Sequence, residues 1–154
     1  MILGGDWDAN TFPITTQWKI AACLDHWVHH IPWHETGVYD RMMELIRQHG
    51  AVDQCRTLGD VIARYERLDQ IYRVVKAEGR LRSRSELDPK NFREGGGIYI
   101  HVGRSGEPLF GLGGNHRLAI AIALDLSVFP AQVGVVHSKA VKLDWRQMLV
   151  TGMT

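Results

Sequence analysis

The stretch GLGGNHRLAIAIAL, Gly111 to Leu124, joins two unlike halves. Its first half is glycine and polar residues; its second is almost wholly apolar. From Leu118 to Leu124 a helix would be apolar around nearly its whole circumference, so it should be enclosed on most sides. The first turn of such a helix lies close to the interior and presents unpaired backbone N–H groups with a partial positive charge. Gly113 and Gly114 would let the backbone approach a ligand without a β-carbon in the way. Arg117 adds a planar fork suited to phosphate or carboxylate oxygens, and His116 adds a donor, or a base when neutral. Together these residues can form an anion cradle. The same residues also allow a plain strand-to-helix turn, with Arg117 paired to an internal carboxylate and His116 bonded to a backbone carbonyl. The stretch is not a P-loop, which needs Lys and Ser/Thr directly after its glycine, and it lacks the full dinucleotide fingerprint.

Working outward, IYIHV at 98–102 alternates as a strand should. Arg104–Glu107 supplies a turn, and Leu109–Leu112 can pair back as a hairpin. PAQVGVVH, 130–137, reads as a largely buried strand, and LDWRQML as a short terminal helix. Upstream the periodicity is helical. Thr15 or Thr16 can cap a helix with Ile20, Leu24, Trp27, Val28 and Ile31 on one stripe, stopped by Pro32. Thr36 can cap a second, with Val38, Tyr39, Met42 and Ile46 inward and Gly50 at its end. Thr57 and Asp60 form a capping-box-like start for a third, in which Leu58, Ile62, Tyr65, Leu68, Tyr72 and Val75 recur at helical spacing before Gly79. Residues 80–97 read as a polar loop. The expected fold is α+β in one domain over 1–154: a helical part over about 1–80, then a β-β-α-β core over about 97–137.

The 154 residues suffice for one domain with a real core. No apolar run reaches the roughly 20 residues of a membrane helix. The start MILGGDWD carries two acids and no basic residue, so no secretory signal is expected and a cytoplasmic chain is. Cys23 and Cys55 have no metal spacing and read as reduced thiols. The net charge of +1 hides an asymmetry: residues 56–93 carry 10 basic and 6 acidic side chains, while residues 1–55 carry 3 and 7. The basic excess lies in Arg73, Lys76, Arg80, Arg82 and Arg84. That strip can face the phosphates of DNA or RNA, or it can be a solvated helix end.

The sequence from Ile100 to His137 resembles the core of the ParB/sulfiredoxin superfamily. The likeness rests on Gly114-Asn115-His116-Arg117, then Ala119, Ala121 and Ala123, then Phe129-Pro130-Ala131-Gln132-Val133, and spans roughly residues 97–137. It implies a small mixed sheet with a Gly-rich turn leading into a buried helix. It also implies nucleotide phosphates, from ATP, ADP or CTP with Mg²⁺, held at Gly113, Gly114, Asn115, His116 and Arg117. Members of that superfamily hydrolyse CTP while clamping DNA, repair an oxidised cysteine with ATP, or phosphorylate free serine; some carry a nuclease label. The turn here lacks the sulfiredoxin cysteine, so that repair reaction is not expected. About 17 residues follow His137, so a full partition protein is not expected either.

For a catalytic member, phosphoryl transfer or nucleotide hydrolysis is the implied chemistry, with Arg117 and His116 beside a metal ion. Kinase-like relatives imply an N-terminal carboxylate as base, and Glu35 is the candidate. Arg104 in the hairpin turn and His137 on the last strand are further candidates for the phosphate site, with His101 near them. Asp6 and Asp8 could hold Mg²⁺ with nucleotide oxygens or form a turn beside Trp7. DHWVHHIPWHET holds four histidines. His26 and His30 could share a helix face, but two ligands make an incomplete metal site, and no metal site is assigned. One of the N-terminal tryptophans could stack on a base. The alternative function is a non-catalytic nucleic-acid-associated module; no membrane partner is expected.

Overall fold

The computed structural model describes residues 1–93 and 95–151. It is a mixed α+β fold with a four-stranded sheet. Strand β1 (Ile2–Leu3) is followed by helices α1 (Trp18–Trp27), α2 (Val38–His49) and α3 (Leu58–Glu78), and by the short α4 (Arg84–Leu87). Then come β2 (Ile98–Val102), β3 (Pro108–Phe110), α5 (Asn115–Ala123), β4 (Ala131–His137) and α6 (Trp145–Thr151). The order across the sheet is β1-β4-β2-β3. β2 and β3 form the expected hairpin, with Ile100 opposite Phe110; β4 runs parallel to β2, and β1 parallel to β4. The chain thus leaves β3, crosses through α5 and returns beside β2.

The helices start and stop where local chemistry dictates. α3 carries a full capping box: Asp60 N–H donates to Thr57 Oγ1 at 3.1 Å, and Thr57 N–H donates to Asp60 Oδ2 at 2.9 Å. Gly79 ends it in the left-handed conformation (φ 66°). α1 is capped by Gln17, whose side chain accepts from Lys19 N–H, and not by Thr15 or Thr16. Its buried face is Ile20, Cys23 and Trp27. Val28 is 46% exposed, because the helix ends at Trp27 and His30 takes a positive φ before Pro32. In α2, Val38, Met42 and Ile46 are buried as expected. In α3, Val61, Tyr65, Leu68 and Val75 are buried, but Leu58, expected inward, is exposed at the first turn. The loop read over 80–97 contains α4, with its own capping box from Ser83 and Glu86.

α5 lies where its composition requires. Leu118, Ala119, Ile120 and Ala121 are buried. The helix packs chiefly on α1 and also on α3 and β2, within the core that contains Ile20, Tyr65 and Ile98. Both cysteines are buried and free, and burial pushes the Cys23 thiol up to about 12. Among the described residues, no helix is long and apolar enough to cross a membrane.

The N-terminal loop is tied to the hairpin turn by an ion pair. Asp8 accepts from Arg104 backbone N–H at 2.7 Å and from Arg104 Nη2 at 2.6 Å, and Arg104 Nη2 also reaches Asp6 at 2.9 Å. Hydrogen bonds from Arg104 hold the Asp8 carboxyl well below the usual carboxylate range, against the opposing effect of burial. Removing one partner of a buried pair leaves the other uncompensated. Asp8→Asn is therefore expected to lower the thermal midpoint by several degrees. Asp6→Asn, at an 84% exposed side chain, is expected to leave it near wild type. A melting curve for each variant checks both.

Candidate functional site

The glycine turn is shaped first by the sheet. Gly111 N–H donates to Tyr99 O at 2.7 Å, and Tyr99 N–H donates to Gly113 O at 3.1 Å, so the segment lies directly on β2. A β-carbon at Gly113 would stand 2.8 Å from Tyr99 Cβ. One at Gly114 would stand 2.4 Å from the Gly97 carbonyl oxygen. Gly114 also has φ 74° and caps α5 without any side-chain hydrogen bond. The two glycines thus permit a close backbone crossing. The expectation that they clear space for a ligand is corrected in that respect: the space they clear is filled by β2.

Beyond that crossing, the first turn of α5 opens on a cavity of about 730 Å³ between α5 and α3. Gly114, Asn115, His116 and Arg117 line it, joined by Lys19 of α1, Arg64 and Arg67 of α3, Arg82 just before α4 and Arg84 at its start. Among the described residues, six basic side chains and two acidic ones, Asp53 and Glu78, line the cavity. Its other wall is aliphatic, including Leu68, Ile71, Val75, Leu81 and Ile120. Among the described residues no Trp, Tyr or Phe lines it, so the expectation of a tryptophan stacking on a base has no support there.

Several polar atoms along this wall are buried with no hydrogen-bond partner among the described residues: Arg64 Nε, Asn115 Oδ1 and His116 Nε2. Buried polar groups are normally paired, and their gathering at one cavity is unusual. Burial, reinforced by the Arg64 cation, pushes the His116 imidazole down to about 4, so it is neutral at physiological pH. Among the described residues its Nε2 meets no backbone carbonyl, and its ring packs edge-on to the buried Tyr65 at 5.7 Å. Arg117 Nη2 donates to the Arg82 carbonyl, joining α5 to the segment before α4.

Asp53 is the residue pattern reading did not reach. It accepts from Lys19 Nζ at 2.6 Å, and Arg64 Nη2 lies 3.7 Å away. Burial opposes its charge, but the Lys19 ammonium, with the Arg64 guanidinium beyond it, outweighs burial and holds the carboxyl below its ordinary range. Lys19, Asp53 and Arg64 come from three separate segments, and none belongs to a recognisable motif. Only the packing of α1 and α3 on α5 brings them together.

The other candidates lie elsewhere. Arg104 is committed to Asp8 and Asp6, and those acids are thereby committed as well. His137 is buried, with Nε2 against Gly5 O at 3.0 Å and Nδ1 accepting from Lys139 N–H. His101 Nδ1 accepts from Val135 N–H. His101 and His137 pack against Trp7, and none of Arg104, His101 and His137 lines the α5 cavity. Glu35 is exposed on a single turn, 3.5 Å from His34 Nε2, and does not line the cavity either. His26 stacks on Trp33 and reaches Ile31 O and Asp69, the carboxylate that also accepts from the Trp27 and Trp33 indoles. No group of three His, Cys, Asp or Glu side chains with metal-ligand geometry occurs among the described residues.

The basic strip divides. Arg73 and Lys76 are exposed on α3, Arg80 pairs with Glu86, and Arg82 pairs with Glu78 while lining the cavity with Arg84. No family model, curated protein or solved structure matches the chain.

Proposed function

We propose that this protein binds a nucleoside di- or triphosphate in the α5 cavity, as the ParB/sulfiredoxin resemblance implies. The observation that carries the reading is the convergence of Lys19, Arg64, Arg67 and Arg117 on the uncapped first turn of α5, beside buried polar atoms that lack a partner. Backbone N–H groups and a helix dipole favour anions at that point, and guanidinium groups suit phosphate oxygens. The aliphatic wall along α3 then receives the nucleoside. The size fits a small-molecule site, for which a few hundred to about 1,000 Å³ is usual.

Among the described residues, the acids lining the cavity are Asp53 and Glu78, each paired to a cation, a donor set that does not suit a resident Mg²⁺. Mg²⁺ would enter only on the nucleotide's own phosphates. The reaction class that suits such a site is phosphoryl transfer or nucleotide hydrolysis, in which positioning and charge neutralisation do most of the work. Arg117, Arg64 and Lys19 supply that charge. His116, being neutral, offers one ring nitrogen as a donor or acceptor.

A thermal-shift series with ATP, ADP, CTP and GTP in the presence of Mg²⁺ tests the reading. A bound nucleotide at a hundredfold excess over its Kd should raise the midpoint by about 5–10 °C. Arg117→Ala should weaken binding by about tenfold or more, the effect of losing a charge-assisted hydrogen bond. No shift with any nucleotide in folded protein overturns it. The nucleic-acid reading has less support, because Arg80 and Arg82 are neutralised within the chain. A salt titration of DNA or RNA binding distinguishes it, since phosphate contacts give a steep salt dependence.

A further inference from the structure

The turn that carries Asp53 is held in an unfavourable conformation. Asp53 and Gln54 both have positive φ, 50° and 68°, although neither is glycine. The turn is closed by both backbone hydrogen bonds between Val52 and Cys55, at 3.0 and 2.8 Å, and Arg64 Nη1 donates to Asp53 O at 3.2 Å. Left-handed conformations at such residues cost free energy and persist only where the surroundings fix them. Here they aim one carboxylate at a largely enclosed cation: the Lys19 side chain is 13% exposed.

We propose that Asp53 is the resident counterion of the cavity, which an incoming anion must displace from Lys19 and Arg64, and that it thereby selects polyanions such as a nucleoside di- or triphosphate over singly phosphorylated ligands. The inference rests on the nucleotide-binding reading above. The carboxylate is fixed by its closed turn, whereas Lys19 ends a flexible four-carbon stem, so Lys19 is the partner that re-aims. A ligand with one phosphate group gains little over the carboxylate it replaces. A diphosphate reaches Lys19 and Arg64 with one group and the α5 amides and Arg117 with the other, and the second set of contacts offsets the displacement.

The test is calorimetric titration of the full chain with inorganic phosphate and with pyrophosphate. Asp53→Asn keeps the shape of the side chain, and asparagine tolerates positive φ. Removing one negative charge near the bound anion should tighten pyrophosphate binding about tenfold or more. It should also bring inorganic phosphate, weak in the wild type, into the measurable range. Lys19→Gln should weaken pyrophosphate binding about tenfold. Pyrophosphate affinity that is unchanged or reduced in Asp53→Asn overturns the proposal, as does unchanged affinity in Lys19→Gln. If the wild type binds pyrophosphate and Asp53→Asn shows no gain, only the counterion role fails. If neither protein binds pyrophosphate or any nucleotide, the anion-binding reading fails with it.

Discussion

Gly114→Ala lowers the unfolding free energy by about 3 kcal/mol or more, on the combined cost of a left-handed alanine and of crowding a closed space. The added methyl group would meet Gly97 O at 2.4 Å, Gly97 C at 2.7 Å and Ile98 Cα at 2.8 Å. All three are backbone atoms, so no side-chain rotation relieves the clash. β2 must move away from the start of α5, and Ile98, fully buried beside it, moves with it. Gly37→Ala is the control. That glycine has the same kind of backbone (φ 76°) with nothing within 4 Å of its would-be β-carbon. It should cost only about 1 kcal/mol, the conformational share alone. Urea titrations of both variants measure the difference. Equal losses would mean that the chain does not cross β2 at this distance.

Acid weakens the fold in a window set by His116. The folded state holds the imidazole neutral down to about pH 4, whereas the unfolded chain takes up a proton near its ordinary value of 6.5. Between those values the unfolded state binds more protons, so stability falls as pH falls. The loss begins near pH 6.5 and is complete near pH 4, amounting to about 3 kcal/mol over the interval. His116→Gln removes the titrating group, and its stability should stay nearly flat over the same range. Asp8 acts in a separate window. Its stabilising effect is intact above its ordinary value of 3.8 and is lost only as pH falls towards its depressed folded value. Denaturant unfolding at pH 7, 5.5 and 4.5 in the wild type and His116→Gln separates the two. An unchanged acid slope in the variant would show that His116 is not buried as neutral imidazole.

What could be read from the chain follows the range of the forces involved. The Thr57–Asp60 box, the Gly50 and Gly79 stops, the hairpin and α5 depend on residues close together in sequence, and each appears where its pattern puts it. β1 was not legible, because two residues, Ile2 and Leu3, carry no periodicity; their partners are Val136 and His137. The cap of α1 moved to Gln17 because a side-chain amide can replace a hydroxyl there. Half of the cavity was legible in Asn115 to Arg117. The other half, Lys19, Asp53 and Arg64, was not, since each lies on or beside a segment whose pattern describes only its buried face. His137 and Arg104 misled in the opposite sense. Their residue types suit phosphate, but a buried carboxylate and a carbonyl had already claimed them.

The pairing of α1 with α5 bears on how the protein is made. Nearly ninety residues separate Trp27 from Asn115, and a ribosome adds about 5–20 residues per second. For roughly 5–20 s the face of α1 that bears Ile20 and Cys23 has emerged without the helix that will cover it. Strand β1 waits longer still, since its partner β4 follows α5 in the chain. The apolar face of α1 is therefore without its main cover until α5 has been translated, and a chaperone that shields apolar helices would act in that interval.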